Sequence, residues 1–213
     1  MKLASPRLWI KFKKRILKMN KTTATSSPHH VKRSEIFDYQ TYEENRLDTK
    51  SKIFEIKKHR RVHLGENLTF LFENHETIKY QIQEIMRVEK IVKESAILEE
   101  LNTYNSFLGN SGELACVLLI EIEEESDRKP LLENWMGMEK CIYILDEVGN
   151  KIFAEHDPTQ VGDRRLSAVQ YLKFVIKEPP IALGCTFDEL AGEIELTKEQ
   201  RNALAGDLSA TLA

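Results

Sequence analysis

Two short runs in the first third of the chain, Arg61–Leu64 and Leu68–Glu73, are rich in branched and aromatic residues. In the second run Leu68, Phe70 and Phe72 point one way and the residues between them point the other, because strand side chains alternate between two faces. Residues 65–67 read Gly-Glu-Asn, which supplies turn chemistry between the runs. The pattern therefore predicts a β-hairpin.

A helical pattern follows the hairpin directly. Asn74 can cap its first turn, and apolar residues then recur from Ile78 to Val92 at the spacing of one helix face, which predicts a helix over 76–93. At about 100° per residue, Glu89 falls in the middle of the apolar stripe, and Gln81 falls on its edge. The other side carries a polar ridge, which consists of Tyr80, Gln83, Glu84 and Arg87.

A carboxylate that faces the core is costly to bury unless a cation or several donors meet it. Arg60 and Arg61 are the predicted partners of Glu89, either in a structural ion pair or in a catalytic or ligand-binding role. The ridge is either a solvated helix face or a contact surface, and Tyr, Gln and Arg favour contact. The candidate binding residues are Arg60, Arg61, Tyr80, Gln81, Gln83, Glu84 and Arg87. The candidate catalytic residues are Glu84, Glu89 and Arg87.

The rest of the chain alternates between helical and strand patterns. Helices are predicted at 34–58, 95–104, 127–138 and 198–205, and strands at 114–123, 141–146, 151–155, 168–176 and 181–187. The whole predicts one α+β domain over 34–213, with about six mostly antiparallel strands and about five helices.

The run HRRVHLGENLTFLFENHETIKYQIQEIMRVEKI resembles the signature of an uncharacterised bacterial family, a domain of unknown function. In that family a Lys/Arg-rich turn, a Leu-Gly, a Phe-Glu and a Tyr-Gln-x-Gln-Glu-x-x-Arg-x-Glu helix follow in this order. Further matching segments read LEELNTYNSFL, ELACVLLIEI and SAVQYLKFVI, so the resemblance covers about 34–208. Genes of this family resemble ones often found beside rubrerythrin-like and iron–sulfur oxidoreductase proteins. The resemblance thus implies a redox setting and a protein partner of redox type.

Charge is distributed unevenly along the chain. Residues 1–34 hold ten Lys and Arg and no acidic residue, which leaves 21 basic and 34 acidic residues over 35–213, a net charge of −13. An acidic domain of this kind argues against a nucleic acid as its main partner.

The basic arm, residues 1–33, is predicted to be disordered or to form an amphipathic helix. Residues 7–18 would then contact anionic lipid or act as a targeting presequence. The alternative is an over-extended gene start, with Met19 as the true first residue. No apolar run is long enough to span a membrane, and the expected compartment is the cytoplasm.

Cys116, Cys141 and Cys185 are far apart in sequence and lie in apolar runs, which is typical of buried free thiols in a reducing compartment. The weak candidate metal ligands are His59, His63 and His75, which Glu73 and Glu76 could join around the hairpin. Because their spacing matches no established motif, neither a metal nor a cofactor is expected.

Two functions remain open. One is a non-catalytic accessory or interaction protein of a redox system. The other is a small enzyme with a carboxylate/arginine pocket between the hairpin at 61–73 and the helix at 76–93.

Overall fold

The computed structural model describes residues 29–156, 158, 161–162 and 164–209. In these residues the chain forms five α-helices and nine strands in two antiparallel sheets, which confirms the α+β class. The predictions for residues 7–18 and for a start at Met19 lie outside the described residues.

The helices are α1 (Tyr39–Lys58), α2 (His75–Glu89), α3 (Glu94–Asn105), α4 (Glu125–Asn134) and α5 (Lys198–Ser209). The strands are β1 (Arg61–Leu64), β2 (Leu68–Glu73), β3 (Glu113–Ile120), β4 (Ile142–Leu145), β5 (Lys151–Phe153), β6 (Glu155–His156), β7 (Val169–Val175), β8 (Ala182–Cys185) and β9 (Gly192–Glu195).

The first sheet has the strand order β1-β2-β3-β7-β6, and the second has the order β5-β4-β8-β9. The sheets meet at both ends, because β9 contacts β1 and β5 runs into β6 through Ala154. The main core lies between them. Phe72, Leu118 and Phe174 of the first sheet and Ile142 and Leu183 of the second are almost fully buried there.

A helical layer covers the other face of the first sheet. Its own core joins Ile82 and Met86 of α2 to Leu101 and Tyr104 of α3. Val31, which precedes the predicted domain start at 34, is also buried in this core. Phe107, just after α3, stacks on Tyr171 of β7 with ring centroids 3.9 Å apart. Both faces of the first sheet are therefore covered, which makes all six residues of β2 buried.

Helix boundaries follow local capping. Asp38 accepts backbone hydrogen bonds from Gln40 and Thr41, so α1 begins at residue 39 rather than at the predicted 34. Asn74 and Thr77 cap α2 reciprocally. Lys90 adopts a left-handed conformation with φ 52°, which ends α2 four residues before the predicted 93.

Candidate functional site

The predicted hairpin is present with both strand boundaries as expected. Its turn contains Gly65 at φ 60°, a conformation that favours glycine. Strand β2 then pairs with β3, and this register places Glu73, the last residue of β2, opposite Ala115. The hairpin therefore delivers a carboxylate to the point where α2 begins.

The predicted buried ion pair of Glu89 is wrong. Glu89 is the last residue of α2 and is exposed. The buried apolar stripe of the helix, which includes Ile82, Ile85 and Met86, ends before it. Arg60 instead binds Asp207 of α5 through two hydrogen bonds of 2.8 Å. These two residues are 147 positions apart, so this pair links the hairpin to the last helix.

The polar ridge of α2 faces helix α1. Glu84 accepts hydrogen bonds from the Tyr42 hydroxyl at 2.8 Å and from Arg46 Nε and Nη2 at 2.7 and 3.1 Å. Burial alone would raise the pKa of Glu84, but the bonds from Arg46 and Tyr42 outweigh it and hold that pKa below its ordinary value. Arg87 lies 3.4 Å from both Glu84 and Glu43. This part of the ridge is thus an internal ion network.

The remaining ridge residues also contact α1 or the segment before it. Gln83 is buried, and its side-chain amide bonds to the backbone N–H and C=O of Phe37 at 2.8 and 3.1 Å. Tyr80 is half-buried, with the Lys57 ammonium 5.4 Å from its ring centroid. Gln81, at the stripe edge, is also half-buried. The predicted contact surface is therefore used within the chain.

A pocket of about 70 Å³ lies at the junction of β2 and α2. Its lining residues are His29, Glu73, Asn74, His75, Leu108, Gly109, Glu113, Leu114, Ala115 and Asp207. Glu73 is the unusual member, because its side chain is 5% exposed and neither carboxylate oxygen has a hydrogen-bond partner among the described residues. Buried polar groups are nearly always hydrogen-bonded, so this exception requires an explanation.

The other acids of the pocket are satisfied by the protein. Asp207 accepts hydrogen bonds from Arg60 and from Asn74 Nδ2, the latter at 3.0 Å. Glu113 Oε2 accepts from the backbone and side-chain nitrogens of Asn110, at 2.8 and 3.1 Å. Glu73 alone among these carboxylates lacks donors.

One buried cation, Lys57, interacts with Glu73 by charge, and Arg61 lies near that lysine. Lys57 of α1 is 6% exposed; burial lowers its pKa, the charge of Glu73 raises it, and the charge of Arg61 lowers it. Arg61 of β1 is half-buried, and its Nε has no hydrogen-bond partner among the described residues. The ion pairs formed within 4 Å in the described part of the chain do not include one between Glu73 and either cation. Glu73 thus lies near a buried lysine without a bonded donor among the described residues.

The three candidate histidine ligands do not converge. His59 directly follows α1 as its C-cap. His63 is exposed, and its Nδ1 lies 2.8 Å from Thr69 Oγ1. His75 Nε2 lies 2.8 Å from Glu35 Oε1. Within the described ranges, His, Cys, Asp and Glu form no group of three or more that could hold a metal ion. Cys116 and Cys185 are buried, and Cys141 is half-buried.

The sequence pattern does not predict that Glu73 is buried without hydrogen-bond donors among the described residues. Glu73 was visible as the polar end of an alternating strand, a position that usually faces solvent. Its burial arises because the helical layer covers that face. Its cross-strand neighbour is Ala115, and Gly109 also lines the pocket.

The fold and the pocket define an α+β protein with two sheets, a covering helical layer and a carboxylate without donors at a strand–helix junction. The chain belongs to the family described as "Protein of unknown function (DUF3501)", whose model matches residues 30–208. A solved protein of unknown function from Burkholderia pseudomallei K96243 is similar, with 27% identity and a TM-score of 0.77. The match covers 84% of this chain and 99% of that one. No curated protein matches.

None of the described helices is both long and apolar enough to cross a bilayer.

Proposed function

We propose that this chain is a non-catalytic accessory protein that binds a protein partner of a redox system, and that the Glu73 pocket is where the partner binds. The redox class rests on the family resemblance in the 59–91 segment. The binding role rests on the unpartnered carboxylate of Glu73. The compartment we propose for this partnership is the cytoplasm.

Burial removes water from the carboxylate of Glu73. A buried ionised carboxylate without donors is unfavourable by several kcal/mol unless another group compensates it. The pocket supplies donors to Asp207 and Glu113 but not to Glu73. A ligand that brings donors would therefore recover an interaction that the folded chain leaves unmade, and this gain would contribute to binding.

The ridge gives little support to catalysis at Glu84. A general acid or base works best when its pKa is near the working pH and when a substrate can reach it. Glu84 has a lowered pKa, and Tyr42 and Arg46 of the same chain already occupy its oxygens. Breaking this network to admit a substrate would expose several charged groups at once.

The small enzyme remains the second candidate, and one observation favours it. Glu73 is the last residue of the hairpin and His75 is the first residue of α2, so the pocket lies between the two predicted elements. His75 Nε2 lies 2.8 Å from Glu35 Oε1 and Nδ1 lies 3.2 Å from the backbone oxygen of His29, so one of these contacts would have to break before His75 could act as a general base. In this alternative Glu73 and His75, rather than Glu84 and Glu89, would touch the substrate.

Affinity capture from the protein's own cell tests the proposal. The bait is the full chain as wild type, as Glu73→Gln, or as Glu66→Gln, a matched charge change on the exposed hairpin turn. We expect an iron–sulfur or rubrerythrin-like protein to be enriched with the wild type and with Glu66→Gln, and to be reduced about tenfold with Glu73→Gln, a loss of about 1.4 kcal/mol.

Two results would overturn the proposal. One is equal capture by all three baits, and the other is enrichment that contains no redox protein. Thermal unfolding of each bait should accompany the capture, so that loss of binding is not mistaken for loss of fold.

A further inference from the structure

We infer that the Glu73 pocket binds a small cation that carries N–H donors, namely the ammonium or guanidinium group at the tip of a partner's Lys or Arg side chain. The inference rests on the proposed function, because it names the chemistry that the partner presents. Its geometric basis is a carboxylate that is 95% buried, lines the pocket and has no donor among the described residues.

The hydrogen-bonding groups of the pocket select for donors. Asp207 and Glu113 accept bonds from the protein, and Glu73 offers two further acceptor oxygens. The first turn of α2 does not provide an anion site, because Asn74 and Thr77 cap it and carboxylates surround it. A ligand with N–H donors meets these requirements, whereas a phosphate or a carboxylate would face like charge.

The charge of the pocket points the same way. Arg60 forms a two-bond ion pair with Asp207, and the backbone and side-chain nitrogens of Asn110 bond to Glu113, which leaves Glu73 as the lining acid without donors among the described residues. Lys57 interacts with Glu73 by charge but forms no ion pair with it within 4 Å. Both oxygens of Glu73 therefore keep their hydrogen-bonding capacity for a ligand.

The size of the pocket limits the ligand. About 70 Å³ holds roughly five water-sized groups at 10–15 Å³ each, which suits a methylene and an ammonium or a guanidinium. Sites for drug-sized ligands and cofactors are larger, about 300–1,000 Å³. A side-chain tip therefore fits better than a nucleotide or an aromatic ring.

Access requires a small movement. Each oxygen of Glu73 exposes less than 1 Å², so a ligand in the pocket reaches the carboxylate only if a side chain moves. A rotation about the side-chain bonds brings an oxygen to a bound ammonium. The rotation is favourable once the ligand is present, because it exchanges a position without donors for a charge-assisted hydrogen bond.

Titration of the full, isotope-labelled chain with small cations, followed by NMR, tests the inference. The probes are ethylammonium, guanidinium and tetramethylammonium, at equal ionic strength; the last has charge but no N–H donor. We expect saturable shifts of the Gly109 and Ala115 amides with the first two probes, at millimolar Kd, and none with tetramethylammonium. Glu73→Gln should weaken ethylammonium binding about tenfold, and Glu66→Gln should bind like the wild type.

Equal shifts with tetramethylammonium, undiminished binding by Glu73→Gln, or no saturable shift at all would each overturn the inference. The contrast between probes uses only wild-type protein, so the test holds even if Glu73→Gln does not fold. Excess ethylammonium should also displace a captured partner. Displacement would show that the natural ligand is a side chain of the partner and not a free amine. Amine binding without capture of a redox protein would refute the proposed function but not the inference about the pocket. Glu73-dependent capture without amine binding would refute the inference but not the proposed function.

Discussion

Replacing Glu84 with Ala should destabilise the fold strongly, whereas replacing Glu89 should have almost no effect. The Glu84 side chain is 12% exposed and accepts one hydrogen bond from Tyr42 and two from Arg46. Truncation leaves the buried Tyr42 hydroxyl and the half-buried Arg46 guanidinium without their acceptor. Hydrogen bonds to charged groups contribute about 1.5–3 kcal/mol each, and breaking a buried ion pair costs about 3–5 kcal/mol. Since this pair is partly solvated, we expect a loss of about 2–4 kcal/mol.

Urea denaturation of Glu84→Ala, Glu89→Ala and the wild type measures this directly. The denaturation midpoint should fall for Glu84→Ala with little change in slope, because the surface exposed on unfolding stays the same. Tyr42→Phe removes only the hydroxyl donor, and it should cost about 1 kcal/mol. Glu89→Ala should stay within about 0.5 kcal/mol of the wild type, as is usual for exposed sites. A large loss for Glu89→Ala together with a neutral Glu84→Ala would refute the helix orientation.

Three further predictions concern the pH dependence of the Glu84 contribution, the pair of Arg60 and Asp207, and the segment before residue 34. Because hydrogen bonds hold the folded pKa of Glu84 below its ordinary 4.5, its contribution is complete above pH 4.5 and is lost as the pH falls through the folded value. The stability difference between wild type and Glu84→Gln, measured by urea denaturation, should thus be constant near neutral pH and shrink below pH 4.5. Asp207→Asn weakens the two-bond pair with Arg60 and should lower the unfolding free energy by about 1–3 kcal/mol, and an unchanged melting temperature would contradict this. A chain that begins at residue 34 loses Val31, which is 3% exposed and is bonded through its backbone to Asn105. Its melting temperature should therefore lie several degrees below that of a chain that begins at residue 29, and equal melting temperatures would show that this segment is dispensable.

The hairpin and the start of α2 were predictable because their signals are local. Gly65 supplies the turn, the alternating strands fix the pairing, and Asn74 caps the helix within three residues. Strand β9 gives no such signal, since all four of its residues are exposed and its position depends on pairing with β8. Periodicity cannot detect a strand whose side chains face solvent on both sides.

The ridge shows where sequence reasoning reaches its limit. Its composition of Tyr, Gln and Arg favours contact, but it does not identify what the ridge contacts. The partner is α1, whose Tyr42 and Arg46 lie about forty positions before Glu84. The link between Arg60 and Asp207 spans far more of the chain. Contacts of this kind depend on how the layers pack, and no local pattern encodes them.

The sequence indicates Glu73 only as a weak candidate metal ligand and does not predict its burial. Strand alternation describes the two faces of one sheet, whereas burial depends on what covers each face. In β2 the residues that alternate away from the main core include Thr69 and Glu73, and both are buried by the helical layer. A carboxylate in such a place would normally be replaced or bonded, since its desolvation is unfavourable. Here its cross-strand neighbour is Ala115, and neither carboxylate oxygen has a donor among the described residues. Since a buried acid without donors is better suited to receive a donor group than to stabilise the fold, we propose Glu73 rather than the ridge as the binding site.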